Sequence, residues 1–130
     1  MKTVVQILNR PVRVELSSAA ARACASRGTP LLVEMVLLFS CFIAKRTHFR
    51  DAPSEHAGTL IQPGLHLNFR AIMTKTCDLS HEGGGITHSD MPVENPRPYV
   101  PSWCRIGYAG GQWSCEFGYD RQSESLAATP

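Results

Sequence analysis

The 130-residue sequence has no long apolar run, no regular cysteine spacing and little charge. Its longest apolar stretch, Leu31 to Ala44, covers 14 residues and contains Glu34. That is short of the ~20 apolar residues a bilayer crossing needs, so it reads as protein core and no membrane role is expected. The opening MKTVVQILNRPVRVE lacks the apolar centre of a secretory signal. The five cysteines, Cys24, Cys41, Cys77, Cys104 and Cys115, are odd in number and form no CxxC pair. Together these absences predict a cytoplasmic protein with free thiols rather than a disulfide framework. Established chemical motifs are missing too. His81-Glu82 has no second histidine for an HExxH helix, Gly83-Gly84-Gly85 lacks the Lys-Ser/Thr ending of a phosphate loop, and no GxSxG holds out a serine. No internal repeat is present.

What remains is globular. Hydrophobic residues make up 43% and charged residues 18%, values of a packed domain rather than a disordered chain. The length suits one domain, assigned to residues 1–120, with a polar tail over 121–130. The net charge of +2 is too small to argue for nucleic acid. It is unevenly spread: residues 1–75 carry ten Lys/Arg against four Asp/Glu, and residues 76–130 carry three against seven. The simplest reading is that the two halves neutralise each other in the fold.

The stretch from Trp103 to Tyr119 is the most readable. Two aromatic-rich runs flank Gly110-Gly111, residues suited to the left-handed backbone of a two-residue hairpin turn. That turn pairs Ala109 with Gln112, Tyr108 with Trp113, Ile106 with Cys115, Arg105 with Glu116 and Cys104 with Phe117. Alternation then puts Cys104, Ile106, Tyr108, Trp113, Cys115, Phe117 and Tyr119 on one apolar face, with Arg105 and Glu116 as an ion pair on the other. Upstream, Thr3 to Leu8 and Val12 to Leu16 read as strands. Ala19 to Arg27 reads as a helix capped by Ser17 or Ser18, with Gly28 at the C′ position and Pro30 beyond. Leu31 to Arg50 fits either a helix or a bent strand. A strand is preferred because Leu65 to Thr74 alternates strictly and needs an antiparallel neighbour. Lys75 to Ser102 reads as irregular.

The fold expected from these elements is α+β: an antiparallel meander of four to five strands with one short helix on a face and a C-terminal hairpin. Two clusters bear on function. Cys77, His81 and His88, with Asp90 as a possible fourth ligand, offer zinc a Cys/His set, and Cys77 beside a histidine is the one thiol placed for nucleophilic chemistry. Arg46, Arg50 and Arg70, with His48 and His66, fall on outward positions of two strands and could meet an anion. No aromatic residue interleaves with them, so a nucleic-acid platform is not expected. The favoured expectation is a non-catalytic binding or accessory protein acting as a homodimer, because the apolar residues on the outward side of Leu31 to Ala44 would need cover. The alternative is a metal-site or thiol enzyme centred on Cys77, His81 and His88.

Overall fold

The computed structural model describes residues 1–40, 43–54, 56–74 and 90–120. Among them are nine strands and one α-helix. They are β1 (Lys2–Ile7), β2 (Arg10–Leu16), α1 (Ser18–Ser26), β3 (Leu31–Phe39), β4 (Ile43–Asp51), β5 (Thr59–Gln62), β6 (Leu65–Thr74), β7 (Asp90–Pro92), β8 (Trp103–Ala109) and β9 (Gln112–Gly118). A mostly β chain with one helix accords with the α+β expectation, but the strands do not form a single meander. They form a four-stranded sheet, β1-β2-β8-β9, and a five-stranded sheet, β4-β3-β6 with β5 and β7 both on the far side of β6. Each sheet contains one parallel pair, β2 with β8 and β3 with β6.

The sheets pack face to face. Alternation along β2 turns Val12, Val14 and Leu16 inward, and along β8 and β9 it turns in Cys104, Ile106 and Phe117. Opposite them stand Leu31, Val33, Met35 and Leu37 of β3 and Leu65, Leu67, Phe69 and Ala71 of β6. The lateral edges also meet. Thr59 Oγ1 of β5 donates to the Gln6 carbonyl of β1 at 3.2 Å. Lys45 of β4 donates to the Phe117 carbonyl of β9 at 3.3 Å, and the ring of Phe49 stacks on that of Trp113. Helix α1 carries the chain from one sheet to the other and buries Ala20 and Cys24 in the shared core. Ser17 caps it, its Oγ accepting from the Ala20 N–H at 3.1 Å. Its end differs from expectation. Gly28 is not left-handed, and the helix stops because Arg27 turns extended while its N–H bonds Cys24.

The C-terminal hairpin has the register expected pair by pair, with Gly110 and Gly111 at φ of 58° and 77°. Arg105 departs from expectation, forming its ion pair with Glu15 of β2 at 3.7 Å rather than with Glu116. The larger correction concerns residues 31–50. They are neither a helix nor one long strand but a hairpin, β3 against β4, closed by Phe39 opposite Ile43. With β4 on its antiparallel edge, β3 takes β6 as a parallel partner, so the expected antiparallel pair is not formed. The stretch expected to be irregular also holds β7, paired antiparallel to the end of β6, and a 3-10 turn over Arg97–Tyr99.

The β1–β2 connection carries strain. Leu8 and Asn9 sit at φ of 51° and 63°, as a two-residue hairpin turn demands. Asparagine tolerates that region, whereas leucine loses about 1–2 kcal/mol to contact between Cβ and the following carbonyl. Arg97 braces the turn, donating to the Leu8 carbonyl at 3.0 Å and the Asn9 carbonyl at 3.4 Å. Since Leu8 is exposed, Leu8→Gly is expected to raise stability in urea unfolding by about 0.5–1 kcal/mol, the strain relieved less the entropy of glycine.

Tyr119 donates its hydroxyl to the Tyr99 carbonyl at 2.5 Å, and burial pushes its phenol up to about 12. The folded state thus holds the proton more tightly than the unfolded chain, whose phenol titrates near 10. The stabilisation is complete below pH 10 and fades as pH rises from 10 to 12. Unfolding midpoints measured from pH 8 to 12 should show the wild type losing stability faster than Tyr119→Phe over that window, so that the gap between them narrows.

Candidate anion-binding site

The outer face of the five-stranded sheet is built by the alternation of three strands. From β4 it receives Ala44, Arg46, His48 and Arg50, from β3 Leu32, Glu34, Val36 and Leu38, and from β6 His66, Asn68, Arg70 and Ile72. The register sets these in rows across the sheet: Arg50, Leu32 and His66; then His48, Glu34 and Asn68; then Arg46, Val36 and Arg70. Arg46, Arg50 and Arg70, read from sequence as an anion-binding set, are therefore on one surface. They are not on adjacent strands, however, because β3 runs between them and puts a carboxylate at the centre.

Glu34 explains how the rows are held. Its side chain is only 6% exposed, and an ionised carboxylate withdrawn from water costs several kcal/mol unless paired. Arg50 reaches it along one diagonal, Nε to Oε1 at 3.0 Å, and Arg70 along the other, Nε to Oε2 at 3.4 Å. The first contact is a hydrogen bond. The second is an ion pair by distance alone, since Arg70 Nε has no hydrogen-bond partner among the described residues. His66, 3% exposed, likewise has an unpartnered Nδ1. Both arginines are about half exposed, and Arg46 is exposed with Nη1 donating to the Lys45 carbonyl at 3.2 Å. Three guanidiniums against one described carboxylate leave a surplus of two positive charges on this face. Among the described residues of these three strands, none on this face is Phe, Tyr or Trp.

The other expectations fare differently. Cys77, His81 and His88 lie outside the described residues. Asp90 begins β7, its backbone opposite Thr74. Among the described residues no three His, Cys, Asp or Glu side chains are grouped to hold a metal. The described cysteines are free. Burial pushes the Cys24 thiol up, and a hydrogen bond with Cys104, together with burial, pushes Cys115 up further. Both shifts favour the thiol over the nucleophilic thiolate. No helix among the described residues is long and apolar enough to cross a membrane. The apolar surplus that suggested a dimer is also reduced, since Leu32 and Val36 are 2% and 3% exposed in the single chain.

Sequence reasoning found the arginines but missed the anchoring role of Glu34 and the burial of His66. A signal for Glu34 was present: a lone carboxylate inside a 14-residue apolar run needs a cationic partner wherever it lies. No family model matches the chain, and neither a curated protein nor a solved structure matches it.

The ion-pair geometry gives a measurable coupling. Arg50→Met is expected to cost about 1–3 kcal/mol by leaving Glu34 with one imperfect partner. In a Glu34→Met background the same change should cost less than about 0.5 kcal/mol. Urea unfolding of the four proteins in a double-mutant cycle checks this.

Proposed function

We propose that the chain is a non-catalytic binding protein whose outer five-stranded face holds an acidic segment of a partner protein. The observation that carries this reading is the surplus of guanidinium groups, Arg46, Arg50 and Arg70, around the buried carboxylate of Glu34. Glu34 takes one hydrogen bond from Arg50, and each arginine offers five N–H donors in a fixed fork that suits carboxylates. A protein partner is favoured over nucleic acid because no described residue of the face is an aromatic on which bases could stack. Nothing in this reading requires a second copy of the chain.

Arg46 is the residue to change, because its loss leaves both ion pairs of Glu34 intact. Fluorescence anisotropy of a labelled poly-glutamate peptide is expected to show binding that weakens as salt is added. Arg46→Glu should weaken it about tenfold at low ionic strength, by replacing an attractive charge with a repulsive one. Absence of binding, or equal affinity in the variant, would overturn the proposal. Tighter binding of a single-stranded oligonucleotide would replace the protein partner with nucleic acid.

A further inference from the structure

We infer that the principal acid held on the outer five-stranded face is a phosphate monoester, a phosphorylated serine or threonine of the partner's acidic segment, seated between Arg46 and Arg70. This rests on the acidic-partner reading and names the group that reading leaves open. The register sets the two arginines in one row, on either side of Val36. At ~4.8 Å per strand their backbones stand ~10 Å apart, a span that two arginine side chains close from opposite sides. Val36 is 3% exposed and has no polar side-chain atom, so the floor between the two heads is apolar. Glu34 positions Arg70: Nε lies 3.4 Å from Oε2 and has no hydrogen-bond partner among the described residues. With Nε turned inward, the terminal nitrogens of this half-exposed side chain remain for a ligand. Arg46 is exposed and commits one N–H, from Nη1 to the Lys45 carbonyl at 3.2 Å.

Charge and shape separate phosphate from carboxylate here. Among the described residues of β3, β4 and β6, three guanidiniums face one carboxylate on this side of the sheet, a surplus of two. A phosphate monoester brings a charge of about −1.5 to −2 at neutral pH and matches that surplus, whereas one carboxylate leaves half of it uncompensated. A carboxylate is planar and presents both oxygens along one edge, which suits a single fork. Donors that arrive from both sides of a strand need acceptors turned both ways, and the three terminal oxygens of a tetrahedral phosphate supply them. Arg50 has a different part. Its hydrogen bond to Glu34, at 3.0 Å, neutralises the carboxylate that would otherwise repel the phosphate. The neighbouring rows restrict the ligand to one phosphate. On one side stand Ala44, Leu38 and Ile72, and on the other His48, Glu34 and Asn68. A nucleic-acid strand lying along β3 would bring its next phosphate onto an apolar row or onto Glu34, whereas a phosphopeptide carries its phosphate singly.

The test compares three labelled peptides that share one acidic frame of glutamate, glycine and serine and differ at the central residue: phosphoserine, glutamate or serine. Fluorescence anisotropy with the full chain is expected to show the phosphoserine peptide binding about tenfold tighter than the glutamate peptide, through the added charge and the second fork. Arg46→Lys keeps the charge but loses the fork, and should remove most of that gain while changing the affinity of the glutamate peptide less than twofold. Lys2→Met, a charge lost from the other sheet, should leave the gain intact. Equal binding of the phosphoserine and glutamate peptides overturns the inference, and so does a gain that survives Arg46→Lys. Competition by inorganic phosphate as effective as that of the phosphopeptide would reduce the site to one for free anions. Binding to phosphatidic-acid vesicles but not to the phosphopeptide would assign it to a lipid headgroup, and either result overturns a phosphopeptide site. The acidic-partner reading fails separately: poly-glutamate binding with no phosphate gain sinks this inference alone, and absence of all peptide binding sinks both.

Discussion

A strand whose residues Leu31 to Leu37 are all buried must have a hydrogen-bonding partner on each edge and cover on each face. β3 meets the edge requirement by taking β4 antiparallel on one side and β6 parallel on the other. Its inward residues meet β2, β8 and β9 of the second sheet. The parallel partner has a topological cost, since the chain must travel away and return in the same direction. β4 and β5 occupy that path, and α1 sets up the approach to β3 from the other sheet. Burial of β3 also explains Glu34. A carboxylate in a strand of this kind is tolerated only if cations reach it from neighbouring strands, and Arg50 and Arg70 do so from β4 and β6. The Glu34 cluster is thus a consequence of the topology.

How much of this was legible from sequence depended on range. The β8–β9 register could be written residue by residue because Gly110-Gly111 fixes the turn and strict alternation fixes the faces, all within one local stretch. The cap at Ser17 was legible for the same reason. Residues 31–50 were not, because the hairpin between β3 and β4 interrupts an apolar run with no glycine, proline or asparagine to mark it. A strand buried on both faces loses the alternation that distinguishes it from a helix. Arg46, Arg50 and Arg70 could be assigned to one surface because alternation along β4 and β6 survives. What lay between them could not, because it requires knowing that β3 separates the two strands. Arg105 shows the same limit: its hairpin neighbour Glu116 was visible, whereas Glu15, supplied by a parallel strand far away in sequence, was not.

The turn at Leu8 and Asn9 shows local preference yielding to global need. Leucine is a poor residue for a left-handed backbone, yet the two-residue turn keeps Ile7 and Val12 both facing the core. Arg97 holds the turn's carbonyls from a segment 88 residues away. A similar division of labour appears at the other edge, where Lys45 joins β4 to β9 and sits 5.8 Å from the ring centres of both Phe117 and Tyr119. In each case a long cationic side chain ties segments far apart in sequence, Arg97 to the β1–β2 turn and Lys45 to the opposite sheet, its head finding backbone oxygen or aromatic rings.

The uneven charge of the sequence gains a spatial meaning from the same topology. The four-stranded sheet is assembled from both ends of the chain, β1 and β2 with β8 and β9. Its ion pairs therefore cross the divide: Arg13 meets Asp120, and Arg105 meets Glu15. Neutralisation between the halves holds there. The long strands of the five-stranded sheet, β3, β4 and β6, come entirely from the first 75 residues, which hold ten basic side chains against four acidic ones. Glu34 is spent holding two arginines in place, and the excess remains on the surface. Among the described residues, one topology thereby gives the two outer faces different character, one balanced and bearing an indole, the other cationic and without aromatic rings. The different charge of the two faces follows from which strands the chain brings together, not from any local motif.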